Sequence, residues 1–164
     1  MVEPRVLQGD ITRQDVDAIV NAASSRMRGG GGVDGAIHAA AGPALLAECV
    51  SRFPDGLATG QAGWTRGFAL PARWVIHLVG PVHGAGTREQ LVSCYANALS
   101  VADTLSVSSI SFPLVSAGAY GWPLEDAAVA AVDTIRTTST AVSDARIVAF
   151  GRASYDAVLA ALGR

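Results

Sequence analysis

An α/β fold, with a sheet covered by helices on both faces, is what this chain predicts. Three observations carry the prediction. Short apolar, strand-like runs alternate with Ala-rich stretches of helical periodicity. Two loops of glycine and other small residues, Gly29–Gly35 and Ser116–Gly121, each follow such a strand. Half of the 164 residues are apolar, enough for one domain that buries roughly two-thirds of its unfolded surface.

Taken in order, Arg5–Gln8 reads as a short strand that Gly9-Asp10 ends, and Asp17–Ala22 reads as a buried strand. Gly35–Phe53 has helical spacing and is divided at Gly42-Pro43, because proline cannot continue a helix in its interior. Ala62–Phe68 alternates as a strand does, and the continuous apolar run Trp74–Val79 fits a central strand. Thr87–Leu105 is helical, and Ser109–Val115 is a strand entering the second small-residue loop. Leu124–Thr137 is a helix with Pro123 suited to its first turn. Arg146–Phe150 is the last strand, and Ser154–Leu162 closes the chain as a helix with Ser154 as its N-cap.

Charge and composition exclude several function classes. The net charge is −2 with no basic block, which speaks against an extended nucleic-acid footprint. All 12 basic residues are arginine, so no lysine nucleophile or Schiff base is available. Cys49, Cys94 and three scattered histidines have no metal-site spacing, and the cysteines are expected to be reduced thiols. His38, His77 and His83 lack a nucleophile-elbow setting and are expected to be structural or solvated. No apolar run reaches the ~20 residues of a membrane span, and no signal-peptide pattern is visible, so a cytoplasmic protein is expected.

Ligands of such sheets sit beyond the carboxyl ends of the strands, and four features converge there. In Gly29–Gly32, backbone N–H groups at a helix entrance form a cradle for phosphate, with the carboxylate of Asp34 beside it. The match of Gly30-x-Gly32-x-x-Gly35 to the dinucleotide fingerprint is formal only: no strand leads tightly into it, and no acid ends a strand about 20 residues later. In Ser116-Ala117-Gly118-Ala119-Tyr120-Gly121, several amides can face one anion, the Ser116 hydroxyl can add a donor, and Tyr120 can close over a sugar. Asp10 can accept from an exocyclic amine, in a turn that also fits an Asx bond, and Phe150 can stack on a base.

Together, Gly9-Asp10-Ile11-Thr12, Asp17–Ala23, Gly29–His38, Val75–Pro81 and Ser116–Pro123 resemble the macrodomain family, MacroD type, over almost the full chain. The resemblance implies a three-layer α/β/α sandwich with a mixed, mostly parallel central sheet. It implies binding of ADP-ribose and hydrolysis of ADP-ribose from acidic side chains of proteins, with O-acetyl-ADP-ribose as a further substrate. Asp10 would hold the adenine amine, Ile11 a backbone contact, and Phe150 the stack. Gly31, Gly32, Val33 and Ser116–Gly121 would hold the diphosphate, Tyr120 would lie against the distal ribose, and Asp34 would bind that ribose and activate water. Asn21 matches the first asparagine of the family's Asn-Ala-Ala-Asn run, whereas Ser24 stands where the second asparagine, which orients the distal ribose, is usual. The implied protein is a monomer that needs no metal or cofactor and takes mono-ADP-ribosylated proteins as partners. Two alternatives stand beside it: a non-catalytic ADP-ribose reader, which Ser24 favours, and a hydrolase of ADP-ribose on nucleic acid ends.

Overall fold

The computed structural model describes residues 1–164. Its strands are β1 (Arg5–Gln8), β2 (Ala18–Ala22), β3 (Ala62–Arg66), β4 (Trp74–Leu78), β5 (Ser109–Phe112) and β6 (Asp144–Ala149). Its helices are α1 (Gly32–Ala41), α2 (Pro43–Arg52), α3 (Arg88–Thr104), α4 (Leu124–Thr137) and α5 (Arg152–Leu162). The strands form one sheet in the order β1-β6-β5-β2-β4-β3. Every pairing is parallel except that of the edge strand β3 with β4, so the mixed, mostly parallel sheet is observed.

Alternation along the strands splits the core in two, because successive side chains point to opposite faces. Ala18, Val20, Ile76, Leu78, Ala145 and Ile147 meet α3, α4 and α5 on one face. Ile19, Val75 and Val148 meet α1 and α2 on the other, through Ile37, Leu45 and Cys49. Asn21 and His77 share the parity of Ile19 and Val75, so they sit on the α1–α2 face although both are polar. Both cysteines are free and buried. No helix is long and apolar enough to cross a membrane.

Several boundaries differ from the expectation, each for a local reason. The strand begun at Ser109 ends at Phe112, where Pro113 removes a ladder donor. β3 stops at Arg66, before Phe68 enters the left-handed region at φ 51°. The Asp17 carboxylate accepts from the Ser108 and Ser109 amides, so this residue precedes β2 as an anchor. The last helix starts at Arg152 with Gly151 as N-cap, and Ser154 lies within it and is not its cap. A 3-10 turn over Ile11–Arg13, not foreseen, is capped by Asp10.

Candidate functional site

The sheet order lays the site out in a line. From β1 towards β4, the carboxyl ends deliver Gly9-Asp10, then Phe150-Gly151, then Ser116–Gly121, then Ala23–Gly32, then Val79–Gly86. With strands about 4.8 Å apart, this groove runs roughly 19 Å from first exit to last.

At the first exit, Asp10 Oδ1 accepts from Thr12 N at 2.9 Å and from Thr12 Oγ1 at 2.7 Å, the Asx-type turn that was expected. Those two bonds hold its carboxyl below the usual range. The other oxygen, Oδ2, lies 3.9 Å from Arg13 and is free to accept. The Ile11 side chain is buried in the core, so only its backbone can take part in a site. Phe150 is 92% exposed beside the Gly9–Ala149 hydrogen bond, an unusual position for phenylalanine unless its ring has a flat partner.

In the middle of the groove, the backbone N–H groups of Ala117, Gly118, Ala119 and Tyr120 donate to no protein acceptor, and neither do those of Gly31, Gly32 and Val33. The second set belongs to the first turn of α1, where N–H groups lack intrahelical partners and the helix dipole favours an anion. Ser116 corrects one expectation. Its Oγ donates to the Pro81 carbonyl at 2.7 Å, so the hydroxyl ties two loops together and is not available to an anion. The residue is buried at φ 64°, a strained conformation for serine. It is locked there by Val115 N donating to the Tyr95 hydroxyl and by Trp122 N donating to the Ser116 carbonyl, both at 2.9 Å.

The glycines give an independent mark of the groove. Most have a structural reason: Gly29, Gly32 and Gly121 have positive φ, and a Cβ on Gly35 would lie 2.6 Å from the Gly30 carbonyl. Only Gly9, Gly31, Gly118 and Gly151 have neither a left-handed φ nor any heavy atom within 4 Å of an added Cβ. All four lie in the loops at the strand exits, at consecutive stations of the groove. Nothing within the protein itself excludes a Cβ at these four positions, and each faces open space along the groove.

Towards the far end, Asp34 is only 4% exposed, in the first turn of α1. Asn21 Nδ2 donates to its Oδ1 at 2.9 Å and also contacts His77 Nδ1 at 3.1 Å. His77 Nε2 contacts Thr65 Oγ1 at 2.9 Å. An amide nitrogen can only donate, so His77 Nδ1 must accept, and the proton of the neutral ring must sit on Nε2 and point at Thr65. Burial keeps the ring neutral, pushing its pKa down from 6.5 to about 3. Four buried side chains from β3, β4, β2 and α1 thus form one relay that ends on a carboxylate. Asn21 Oδ1 has no hydrogen-bond partner within the protein, while its Nδ2 faces both Asp34 and His77.

His38 makes a structural contact within α1. It is four residues after Asp34 on α1, and its Nε2 lies 3.4 Å from Asp34 Oδ1. The i, i+4 spacing on α1 brings the two side chains together, a signal that the sequence analysis above did not use. Ser24 is half-buried in the turn after β2, where its carbonyl accepts from Met27 N at 3.0 Å. Val33 packs against the smaller core and Ala117 against the larger, while Gly118, Ala119 and Gly121 are exposed and Tyr120 is half-buried.

A three-layer α/β protein with a groove of free amides along the carboxyl edge, ending on a buried carboxylate, is the class these features define. The Macro domain family profile matches residues 20–131. A macro domain-containing protein of Streptomyces coelicolor is 51% identical over 164 residues, covering 96% of this chain and 97% of its own length. The human ADP-ribose glycohydrolase MACROD2 is 51% identical over 133 residues, covering 79% of this chain and 31% of its own length. Among solved structures, the Oceanobacillus iheyensis macrodomain with ADP superposes with a TM-score of 0.93 at 40% identity, over 96% of this chain and 88% of that one. The Trypanosoma brucei macrodomain in complex with ADP-ribose does so with 0.87 at 39%, over 95% and 67%. The chain belongs to the Macro domain family.

Proposed function

We propose that this chain binds ADP-ribose along the groove and hydrolyses mono-ADP-ribose from acidic side chains of proteins, with O-acetyl-ADP-ribose as a second substrate. The observation that carries this reading is the buried Asp34 carboxylate, fixed by Asn21 at the end of a row of unpaired amides. The similarity to a human ADP-ribose glycohydrolase and to a macrodomain solved with ADP-ribose supports it.

Adenine stacks on Phe150 and gives its exocyclic amine to Asp10 Oδ2. The amides of Ala117–Tyr120 and of Gly31–Val33 take the diphosphate, which is why a Cβ at Gly31 or Gly118 would intrude. The distal ribose lies between Tyr120 and Ser24 and reaches Asp34. Water adds across the bond between that ribose and the acceptor oxygen, returning ADP-ribose and a free carboxylic acid. Asp34, held ready to accept by Asn21, takes the proton of the attacking water. The diphosphate anion helps to orient that water.

Ser24 favours a second reading, a reader that binds and does not cleave. Calorimetric titration with ADP-ribose beside timed release from a glutamate-modified protein separates the two. Binding with release supports the hydrolase, binding without release makes the chain a reader, and neither removes the ADP-ribose reading altogether. In the Ser24→Asn variant, the hydrolase reading expects little change in rate, whereas a large gain would mark the natural site as impaired.

A further inference from the structure

Nine of the 12 arginines lie within 4.0 Å of a carboxylate, and Arg26, Arg28 and Arg73 do not. Arg73 covers the Trp74 ring instead. Arg26 and Arg28 both line one cleft of about 530 Å³, between the turn that leaves β2 and the turn that follows α2. We infer that this cleft binds a phosphate monoester carried by a polypeptide partner. None of the free amides of Gly31–Val33 or Ala117–Tyr120 lines it, so the inference goes beyond the proposed function and does not rest on it.

The turn after β2 presents both guanidiniums. Met27 is buried in the smaller core at φ 59°, so its two neighbours on the chain face outward, and both are exposed. Leu57 N donates to the Ser25 carbonyl at 2.8 Å and fastens the two walls of the cleft together. Gly56 lies against the same carbonyl at φ 79°, and a Cβ there would collide with it.

Arg28 is pinned and still has donors to give. Its Nη1 donates to the carbonyls of Arg26, Met27 and Phe53 at 3.0, 3.1 and 3.0 Å, and its Nη2 to that of Pro54 at 3.2 Å. Nε–H and the second N–H of Nη2 have no acceptor in the protein. Elsewhere in the chain that same Nε–Nη2 edge grips a carboxylate, Glu3 by Arg136 and Asp144 by Arg146. Carbonyl oxygens orient the Arg28 head without cancelling its charge, so little side-chain freedom is left to lose when an oxyanion meets it.

The charges select the class of ligand. A phosphate monoester carries about −1.5 to −2 at pH 7 and three strong acceptor oxygens, enough to engage two guanidiniums at once. The exposed Ser25 hydroxyl can add a donor. Asp55 is the one carboxylate in the lining, and it pairs with neither arginine. It opposes a second anionic group, and the net charge of −2 opposes a run of phosphates, so an isolated phosphate on a peptide is favoured over a nucleic acid. Pro54, Leu57 and Ala58 offer apolar surface to the residues beside it.

The test follows the backbone amides of the whole protein by NMR during three titrations: a short Gly-rich peptide with one phosphoserine, the same peptide unphosphorylated, and inorganic phosphate. The phosphopeptide should bind at least about tenfold more tightly than its unphosphorylated form and shift the amides of Ser25–Arg28 and Asp55–Ala58. Inorganic phosphate should shift the same amides at higher concentration. Arg26→Gln removes an exposed head and should weaken the phosphopeptide about fivefold. Arg28→Lys keeps the charge, loses the fork and should weaken it by a similar factor. Where a lower melting temperature shows that Arg28→Lys loosens the two turns, the Arg26 variant alone decides. Equal binding of the two peptides, shifts confined to Gly31–Val33 and Ala117–Tyr120, or full binding by Arg26→Gln overturns the inference. Tighter binding of a 5′-phosphorylated oligonucleotide than of the phosphopeptide overturns the assignment to a polypeptide.

Discussion

The two ends of the groove are built differently. At the end proposed for the purine, Asp10 and Phe150 are exposed, and the hydrogen bonds that Asp10 accepts come from Thr12, two residues on. At the end proposed for the distal ribose, Asp34 is buried and held by a relay drawn from three strands, with partners 13, 56 and 12 residues apart along the chain. A locally built, solvent-facing end can add affinity and tolerates change. A buried end whose members determine one another can fix a carboxylate to the tolerance that catalysis needs. Under the proposed function, the Asp10–Phe150 end sets how tightly ADP-ribose binds and the Asp34 end sets how fast it is released.

The largest expected effect separates the ends directly. Asp34→Ala should lower release by about 10²-fold or more, as loss of a general base does, while the protein stays folded. Its melting temperature and far-ultraviolet spectrum check the fold, and release near the wild-type rate would remove Asp34 from the chemistry. Asp10→Asn is the matching change at the other end. It keeps an oxygen for Thr12 and can place a donor where the adenine amine needs an acceptor, so ADP-ribose affinity should fall by about 1–3 kcal/mol in calorimetry. Unchanged affinity would move the purine elsewhere.

Thr65→Val sharpens the comparison at a residue far from any ligand. Without its hydroxyl, the His77 ring loses the partner that holds the proton on Nε2. The other tautomer would force the Asn21 amide to turn and set its oxygen against the Asp34 carboxylate. Release should slow about tenfold, Thr65→Ser should restore it, and the ring 15N signals should move from the Nε2–H pattern. A Thr65→Val protein with altered ring signals and an unaltered rate would make the relay merely structural.

The last effect concerns stability and leaves turnover aside. The unfolded chain protonates its histidine near 6.5, while buried His77 resists down to about 3. Between these values the unfolded state binds more protons, so stability falls as pH is lowered, by up to about 1.4 kcal/mol per unit. The carboxylates with lowered values, Glu3, Asp10, Glu48, Asp126 and Asp144, lose most of their contributions only at more acidic pH. Denaturant midpoints measured between about pH 6.5 and pH 5 thus isolate His77, and His77→Gln should flatten the slope there.

Much of this was legible in the chain. The glycine run, the second small-residue loop, Asp10, Asp34 and Phe150 are all local signals, and each does stand at a strand exit. The alternation of strands and helices placed the layers, and Gly42-Pro43 marked the break between α1 and α2. The relay was not legible as a unit, because it depends on register: Asn21 opposite His77, and β3 reversed so that Thr65 reaches the same ring. A polar residue inside each otherwise apolar strand was the available hint, since buried polar groups require partners. The left-handed Ser116 and the diversion of its hydroxyl to Pro81 follow from how two loops meet, which no spacing encodes.

The most direct test of the division of labour is a single-turnover time course of ADP-ribose release from a glutamate-modified peptide, run at saturating enzyme for wild type, Asp10→Asn and Asp34→Ala. The account predicts that Asp10→Asn reaches the wild-type rate once enough enzyme is present, and that Asp34→Ala stays slow at every concentration. Equal slowing of both variants at saturation, or recovery of Asp34→Ala at high concentration, would contradict it.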